Sequence, residues 1–300
     1  MRKFFRPFVC SFLILMFNFC LSFAFISNPE PGVTTVTNMF RTAFYPCGET
    51  LYVWGGGWNL ADTGSGIGST TMYKDIIPRW KNFFDMQSKG YAFTQEKDAN
   101  GAWKNIDDGL DCSGYVASVI YNVINTESGK DGYLDSLGSG NIVPNFAKKG
   151  WGEFIPKEKV KKHRAGDIMG KKGHVYICIG ECDDGSVVLI HSSARKGKAQ
   201  GVQICGTTDI NGSESSKAIK LAEKYMREYY SEFDKKFYDE NYSEPRYARD
   251  ISYLTDYDQL SWYVDERKGS LLTDPDKLRE MKVEDVLKFL FNENSEEMNK

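Results

Sequence analysis

The chain has 300 residues, is 41% hydrophobic and 14% aromatic, and carries a formal net charge of −3. That is enough apolar material to bury one core, or one and a half, and it leaves no basic footprint for nucleic acid. In chain order, Met1-Arg2-Lys3-Phe4-Phe5-Arg6 is a basic start to an apolar run over residues 8–25, and Ser22-Phe23-Ala24 is a small-x-small cleavage pattern. The pattern predicts a signal peptide over residues 1–24, or an uncleaved membrane anchor, because the run is near the length that spans a bilayer. Either way the rest of the chain is expected outside the cytoplasm. Residues 25–50 are expected to be a connector.

Residues 63–70 are glycine-rich but lack the lysine of a phosphate loop, so they are expected to be a linker. A short helix is expected over residues 76–86, starting near Pro78. Next comes Gly109-Leu110-Asp111-Cys112-Ser113-Gly114-Tyr115-Val116. Val116, Val119, Ile120, Val123 and Ile124 recur at three- and four-residue steps and make an apolar helical stripe, with Asp111 as N-cap and Cys112 in the first turn. The helix start favours thiolate over thiol, so Cys112 is expected to titrate below an ordinary cysteine.

A thiol nucleophile needs a base, and the chain has three histidines. His163 lies in a basic run and is expected to be a solvated surface residue. His174 opens a β-branched strand and His191 closes the next one. The Asp184-Gly185 pair between them predicts a two-residue hairpin turn that puts both histidines on one face. Taken singly, a cysteine at a helix start or a histidine at a strand end is usually structural. Here the three occur together, in the order Cys, His, polar residue.

Of the seven cysteines, Cys10 and Cys20 would leave with the signal. Cys47, Cys178, Cys182 and Cys205 remain beside Cys112, either as disulfides or as buried thiols. The spacing of His174, Cys178, Cys182 and His191 does not match common zinc sites, and no metal or other cofactor is expected. After residue 211 the chain turns charged and tyrosine-rich. One long amphipathic helix is expected from about residue 218 to before Pro245, and another over residues 276–291. No repeats occur, and a monomer is expected.

Several motifs together carry a family resemblance. They are Tyr52-Val53-Trp54-Gly55-Gly56, Leu110-Asp111-Cys112-Ser113-Gly114-Tyr115, Arg164-Ala165-Gly166-Asp167-Ile168, Gly173-His174-Val175, Ile190-His191-Ser192-Ser193-Ala194 and Gly201-Val202-Gln203-Ile204. In this order they resemble the NlpC-type cell-wall cysteine peptidases, a papain-like family. The chain differs from the family pattern in the long insertion after Gly57, in Ala165 before Gly166-Asp167, and in Leu110 before Asp111-Cys112.

The resemblance implies an α+β papain-like domain over residues 51–212, with the catalytic cysteine at a helix N-terminus packed on an antiparallel sheet. Residues 58–108 would be an insertion and residues 213–300 a helical C-terminal extension. It further implies Cys112 as nucleophile, His174 as base and later acid, and His191 as the residue that orients His174. Tyr52 and Asp111, with Ser113 beside them, would line the substrate cleft. The implied substrate is the peptidoglycan stem peptide, cut between D-glutamyl and a diamino acid. The alternatives are a CHAP-type amidase or other papain-like cysteine hydrolase, and a wall-binding protein without catalysis.

Overall fold

The computed structural model describes residues 28–57, 72–88, 90–93, 96–97, 99–100, 103–104, 108–124, 137–194, 200–237, 246–265 and 269–293. The expected signal peptide and the glycine-rich linker at 63–70 lie outside these residues. The protein is α+β, built on a seven-stranded mixed sheet with helices packed against it.

The core begins at α1 (Val36–Phe44), capped by the Thr35 hydroxyl, which accepts from the Asn38 N–H at 3.0 Å. Residues 28–50 are therefore more than the expected connector. Met39, Phe40 and Ala43 of α1 are fully buried, and the Ala43 carbonyl accepts the Tyr115 hydroxyl at 2.8 Å. Within residues 58–108, α2 (Met72–Met86) begins one turn earlier than expected and carries Pro78 inside it. A two-stranded ribbon, β1 (Glu96–Lys97) with β2 (Trp103–Lys104), follows.

Next comes α3 (Cys112–Ile124), with Asp111 as its cap: Asp111 Oδ1 accepts from the Gly114 N–H at 2.7 Å. All of α3 from Gly114 to Val123 is buried, so the helix is central and its apolar stripe is only part of its buried surface. The reason is that α1 covers one side and the sheet the other. Then come α4 (Ser139–Lys148), β3 (Gly152–Ile155), β4 (Ile168–Lys171), β5 (His174–Glu181), β6 (Val187–Ser193) and β7 (Gly201–Thr207).

The expected helical C-terminal extension needs correction. The chain after residue 212 does form α5 (Lys217–Tyr229), α6 (Ser231–Lys236), α7 (Ser252–Thr255) and α8 (Val283–Leu290), yet it also supplies two strands of the main sheet. These are β8 (Ala248–Arg249) and β9 (Asp258–Trp262), in the sheet order β3-β9-β4-β5-β6-β7-β8. Only the β7–β8 pairing is parallel. β9 fills the gap between β3 and β4, which would otherwise leave two strand edges unpaired in the core. The long helix expected from residue 218 breaks at Tyr230, and the one expected over 276–291 is a 3-10 turn at Leu278–Glu280 followed by α8.

That 3-10 turn aims Arg279 into the interior. Its guanidinium lies 2.8 Å from Asp167 and also donates to the Ala165 carbonyl and the Ser261 hydroxyl. Asp167 is fully buried and accepts from Gln259 Nε2 at 2.6 Å, so one carboxylate ties β4 and β9 to the C-terminal segment. His163 differs from the expected solvated residue: it is buried, and its backbone N–H donates to the Glu181 carboxylate at 2.9 Å. Removing one partner of a buried ion pair strands the other charge, so Arg279→Ala should lose about 3–5 kcal/mol of stability in urea unfolding. A loss below about 1 kcal/mol would place the pair in a solvated setting.

Candidate functional site

The site is assembled where a strap of chain meets the start of α3. The strap carries Tyr52-Val53-Trp54-Gly55-Gly56 and holds the helix entry by main-chain bonds: Leu110 N–H to Leu51 O at 3.1 Å and Asp111 N–H to Gly56 O at 2.8 Å. Glycines make this approach possible. A Cβ on Gly114 would stand 2.2 Å from the Gly56 carbonyl oxygen, and one on Gly56 would stand 2.5 Å from that of Gly109. Gly57 and Gly109, the described residues that flank the insertion, therefore lie at one junction.

Cys112, 7% exposed, lies over the start of β5. Its Sγ is 4.0 Å from the Gly173 carbonyl oxygen, and the Val175 N–H points toward the sulfur. His174 is the residue between those two backbone groups. Its Nε2 is 2.8 Å from His191 Nδ1, with the ring planes 78° apart. The structure thus brings Cys112, His174 and His191 to one end of the sheet, and Nδ1 is the His174 nitrogen that does not meet His191.

The two histidines share a face, although the turn between their strands is not the expected one. It spans residues 182–186, closed by the Cys182 N–H to the Ser186 carbonyl at 2.8 Å. A bulge between Cys178 and Gly180 then shifts the register by one residue, giving Cys178 opposite Leu189 and Ile177 opposite Ile190. Continued, this register puts Tyr176 opposite His191 and His174 one diagonal step away. The longer loop alone would have turned the histidines to opposite faces, and the bulge reverses that.

The expected low-titrating thiol is not what the structure shows. Burial pushes the Cys112 thiol up to about 12, reinforced by the Asp111 carboxylate and opposed by the Val175 and Ser113 N–H groups. Burial, with the positive charges of Arg249 and Lys171, pushes His174 down to about 3. Both shifts act in the direction of a thiol and a neutral imidazole at rest. The helix start does act in the expected direction, but desolvation outweighs it.

His191 is fully buried and also held below the ordinary histidine range, by burial and then by Arg249 and His174. For His174 to accept a proton at Nδ1, its Nε2 must carry hydrogen and donate to His191 Nδ1. His191 must therefore stay neutral. Arg249 acts to keep it so. This guanidinium is 1% exposed, donates to the Ala248 carbonyl at 2.8 Å, and has no carboxylate partner among the described residues.

Tyr253 stands between Arg249 and the imidazoles. Its ring centroid is 5.6 Å from that of His174 and 5.9 Å from that of His191, and Tyr257 lies 5.2 Å from Tyr253. Tyr176 closes the cluster by donating to the Tyr253 carbonyl at 2.7 Å. Arg249, Tyr253 and Tyr257 escaped the sequence reading because they lie in the segment read as helical. The alternation of polar and apolar residues from Gln259 to Trp262 was the available signal for the strand beside them.

Of the expected cleft residues, Tyr52 is nearly buried beside Cys112, edge-on to Phe93 at 5.0 Å. Burial, Cys112 and Asp111 together raise its phenol well above the ordinary range. The Asp111 carboxylate is occupied as the helix cap, accepting from Gly114 and from the Ser113 hydroxyl at 2.9 Å. Asp111 and Ser113 therefore shape the helix entry. Cys47, Cys112, Cys178, Cys182 and Cys205 are all free and buried, so the four cysteines other than Cys112 are buried thiols rather than disulfides. No group of three or more metal-binding side chains occurs among the described residues.

Among known proteins, no family model, no curated protein and no solved structure matches this chain.

The depressed histidines make stability pH-dependent. An imidazole that titrates lower folded than unfolded takes up a proton on unfolding, so its contribution is complete above the unfolded value of about 6.5 and is lost as pH falls toward about 3. Each such imidazole should cost up to about 1.4 kcal/mol per pH unit in that window. Urea midpoints should fall between pH 7.5 and 5 more steeply for the wild type than for a His174→Gln, His191→Gln double variant. Parallel slopes would show that the imidazoles protonate freely in the folded protein.

Proposed function

We propose that the protein is an exported cysteine peptidase of the NlpC type, with a papain-like core, that hydrolyses peptidoglycan stem peptides at the bond between D-glutamyl and a diamino acid. The observation that carries this reading is the Cys112 thiol at the start of a buried helix, 4.0 Å from the carbonyl of the residue before His174, whose imidazole meets His191 at 2.8 Å. The motif resemblance adds the substrate class.

The neutral resting pair favours general-base catalysis over a preformed ion pair. As the Cys112 sulfur bonds to the scissile carbonyl carbon, its proton passes to His174 Nδ1, and backbone N–H groups at the start of α3 receive the oxyanion. The carbon–nitrogen bond then breaks as Nδ1 returns that proton to the leaving amine. Water, deprotonated by the same nitrogen, attacks the thioester and regenerates the thiol. Arg249 supports the cycle by keeping His191 a neutral acceptor.

Digestion of purified peptidoglycan should release disaccharide-dipeptide fragments ending in D-glutamate, with a new amine on the diamino acid and no new reducing sugar ends, all resolved by liquid chromatography with mass spectrometry. Cys112→Ala and His174→Ala should abolish release, while His191→Asn should retain part of it because the amide still accepts the imidazole hydrogen. Intact stem peptides among the products would identify an amidase instead. A His174→Ala enzyme keeping about a tenth of the wild-type rate, a barrier change of only about 1.4 kcal/mol, would remove His174 from the mechanism.

A further inference from the structure

Lys157-Glu158-Lys159-Val160-Lys161-Lys162-His163-Arg164 places five basic side chains against one acidic in a chain of net charge −3, and no step proposed for Cys112 and His174 uses them. The main chain of this segment is pinned to the sheet. It leaves β3 through a 3-10 turn at Lys157–Lys159, where the Lys157 N–H donates to Asp258 Oδ1 at 3.0 Å. Asp258 is in register with Gly170, which pairs with Val175, so this is the end of the sheet that carries His174. The Lys162 carbonyl accepts from Gln259 Nε2 at 2.8 Å, and the His163 N–H donates to the carboxylate of Glu181, the last residue of β5. The segment therefore crosses from one end of β5 to the other, a path of roughly 20–25 Å at about 3.3 Å per strand residue. Gln259 alternates with Leu260 and Trp262, and the Trp262 ring packs near Phe146 of α4, so the crossing lies on the face away from α4.

Along this path Val160 turns inward and is half-buried, while Lys157, Lys159, Lys161 and Lys162 are exposed. None of the four makes an ion pair among the described residues. Ammonium groups held in a row repel one another, and an anion that meets several of them at once removes that repulsion. The row is narrow. Glu153 and Glu158 are exposed beside it, and at its far end Arg164 shares a cavity with Glu153, Asp265 and Glu280. A flat anionic surface would meet those carboxylates as well as the lysines, whereas a single chain of phosphates follows the lysines alone. No exposed aromatic side chain occurs from 157 to 164 on which a base could stack.

We infer that Lys157, Lys159, Lys161 and Lys162 form a docking strip for a linear phosphate polymer, a single chain of phosphoryl groups without bases, laid along the sheet from the end that carries His174. The strip holds the protein on a polyanion by charge and reads no sequence or side chain. It is independent of the peptidase reading, so a failure of either leaves the other standing.

The test is fluorescence anisotropy of an end-labelled linear inorganic polyphosphate titrated with the full chain. Four phosphates neutralised by lysine give a slope of about −3 in log affinity against log salt, so binding should weaken about fiftyfold between 50 and 200 mM sodium chloride. A Lys157→Ala, Lys159→Ala, Lys161→Ala, Lys162→Ala variant keeps the main-chain bonds to Asp258 and Gln259. It should lose most of that slope and bind at least about thirtyfold more weakly at the lower salt. A control with the exposed residues Lys148, Lys220, Lys282 and Lys288 changed to alanine has the same net charge and should stay within about threefold of the wild type. Equal weakening in the two variants would show an effect of net charge alone and overturn the strip, as would a wild-type slope near zero. Tighter binding to phosphatidylglycerol vesicles or to oligothymidylate than to polyphosphate, at equal phosphate concentration, would overturn it in favour of a membrane surface or a nucleic acid.

Discussion

The main-chain contact between the strap at Gly56 and the first turn of α3 is the constraint on which the site depends. A helix start presents unpaired N–H groups, and a cysteine placed there can react only if those groups and the sulfur are held at a fixed height above the neighbouring strand. Here the strap fixes that height. Gly56, Gly109 and Gly114 meet backbone to backbone, and the Asp111 N–H is committed to the Gly56 carbonyl at 2.8 Å. The Ser192 hydroxyl of β6 binds the Leu110 carbonyl from the other direction, so the sheet that carries His191 also holds the residue two before the thiol. One consequence is tolerance of a long insertion. Residues 58–108 begin and end at this junction, and loop-closure entropy grows only slowly with their number.

The electrostatics around the pair follow from where the C-terminal segment goes. A helical cap on the outside would have left His174 and His191 facing solvent on one flank. Instead the chain returns through β8 and β9, laying Tyr253 against both imidazoles and Tyr257 against that of His174. Arg249 is a buried guanidinium with no carboxylate partner among the described residues, and its field extends to both rings. An orienting histidine has a weakness that an asparagine lacks, because it can itself become a cation and stop accepting. Burial beside Arg249 removes that weakness.

The local chemistry of the site was legible in the sequence, because it depends on short-range rules. Asp111 as N-cap, Cys112 in the first turn and the strand character around His174 and His191 need only neighbouring residues. The shared face of the histidines was reached through a two-residue turn that does not form, and the bulge between Cys178 and Gly180 corrected the parity. Neither the bulge nor the loop is visible in periodicity. The thiol's acidity is not legible in the same way, because a helix dipole can be read from sequence while desolvation depends on tertiary burial. The path of β9 was hidden for a related reason: five residues with a strand pattern say nothing of which gap they fill, and that gap is set by Gln259 and Arg279 meeting Asp167.

The central claim is that a neutral Cys112–His174 pair forms the reactive centre. The most direct measurement is the rate of iodoacetamide labelling at each of Cys47, Cys112, Cys178, Cys182 and Cys205 from pH 5 to 10, mapped by mass spectrometry. The account predicts that Cys112 is labelled before the other four and that its rate climbs with pH through neutrality without levelling off, since the thiolate forms only as the proton is taken. A pH-independent plateau below neutrality would mean a preformed thiolate. Labelling of Cys112 no faster than that of the other four would contradict its role as the nucleophile.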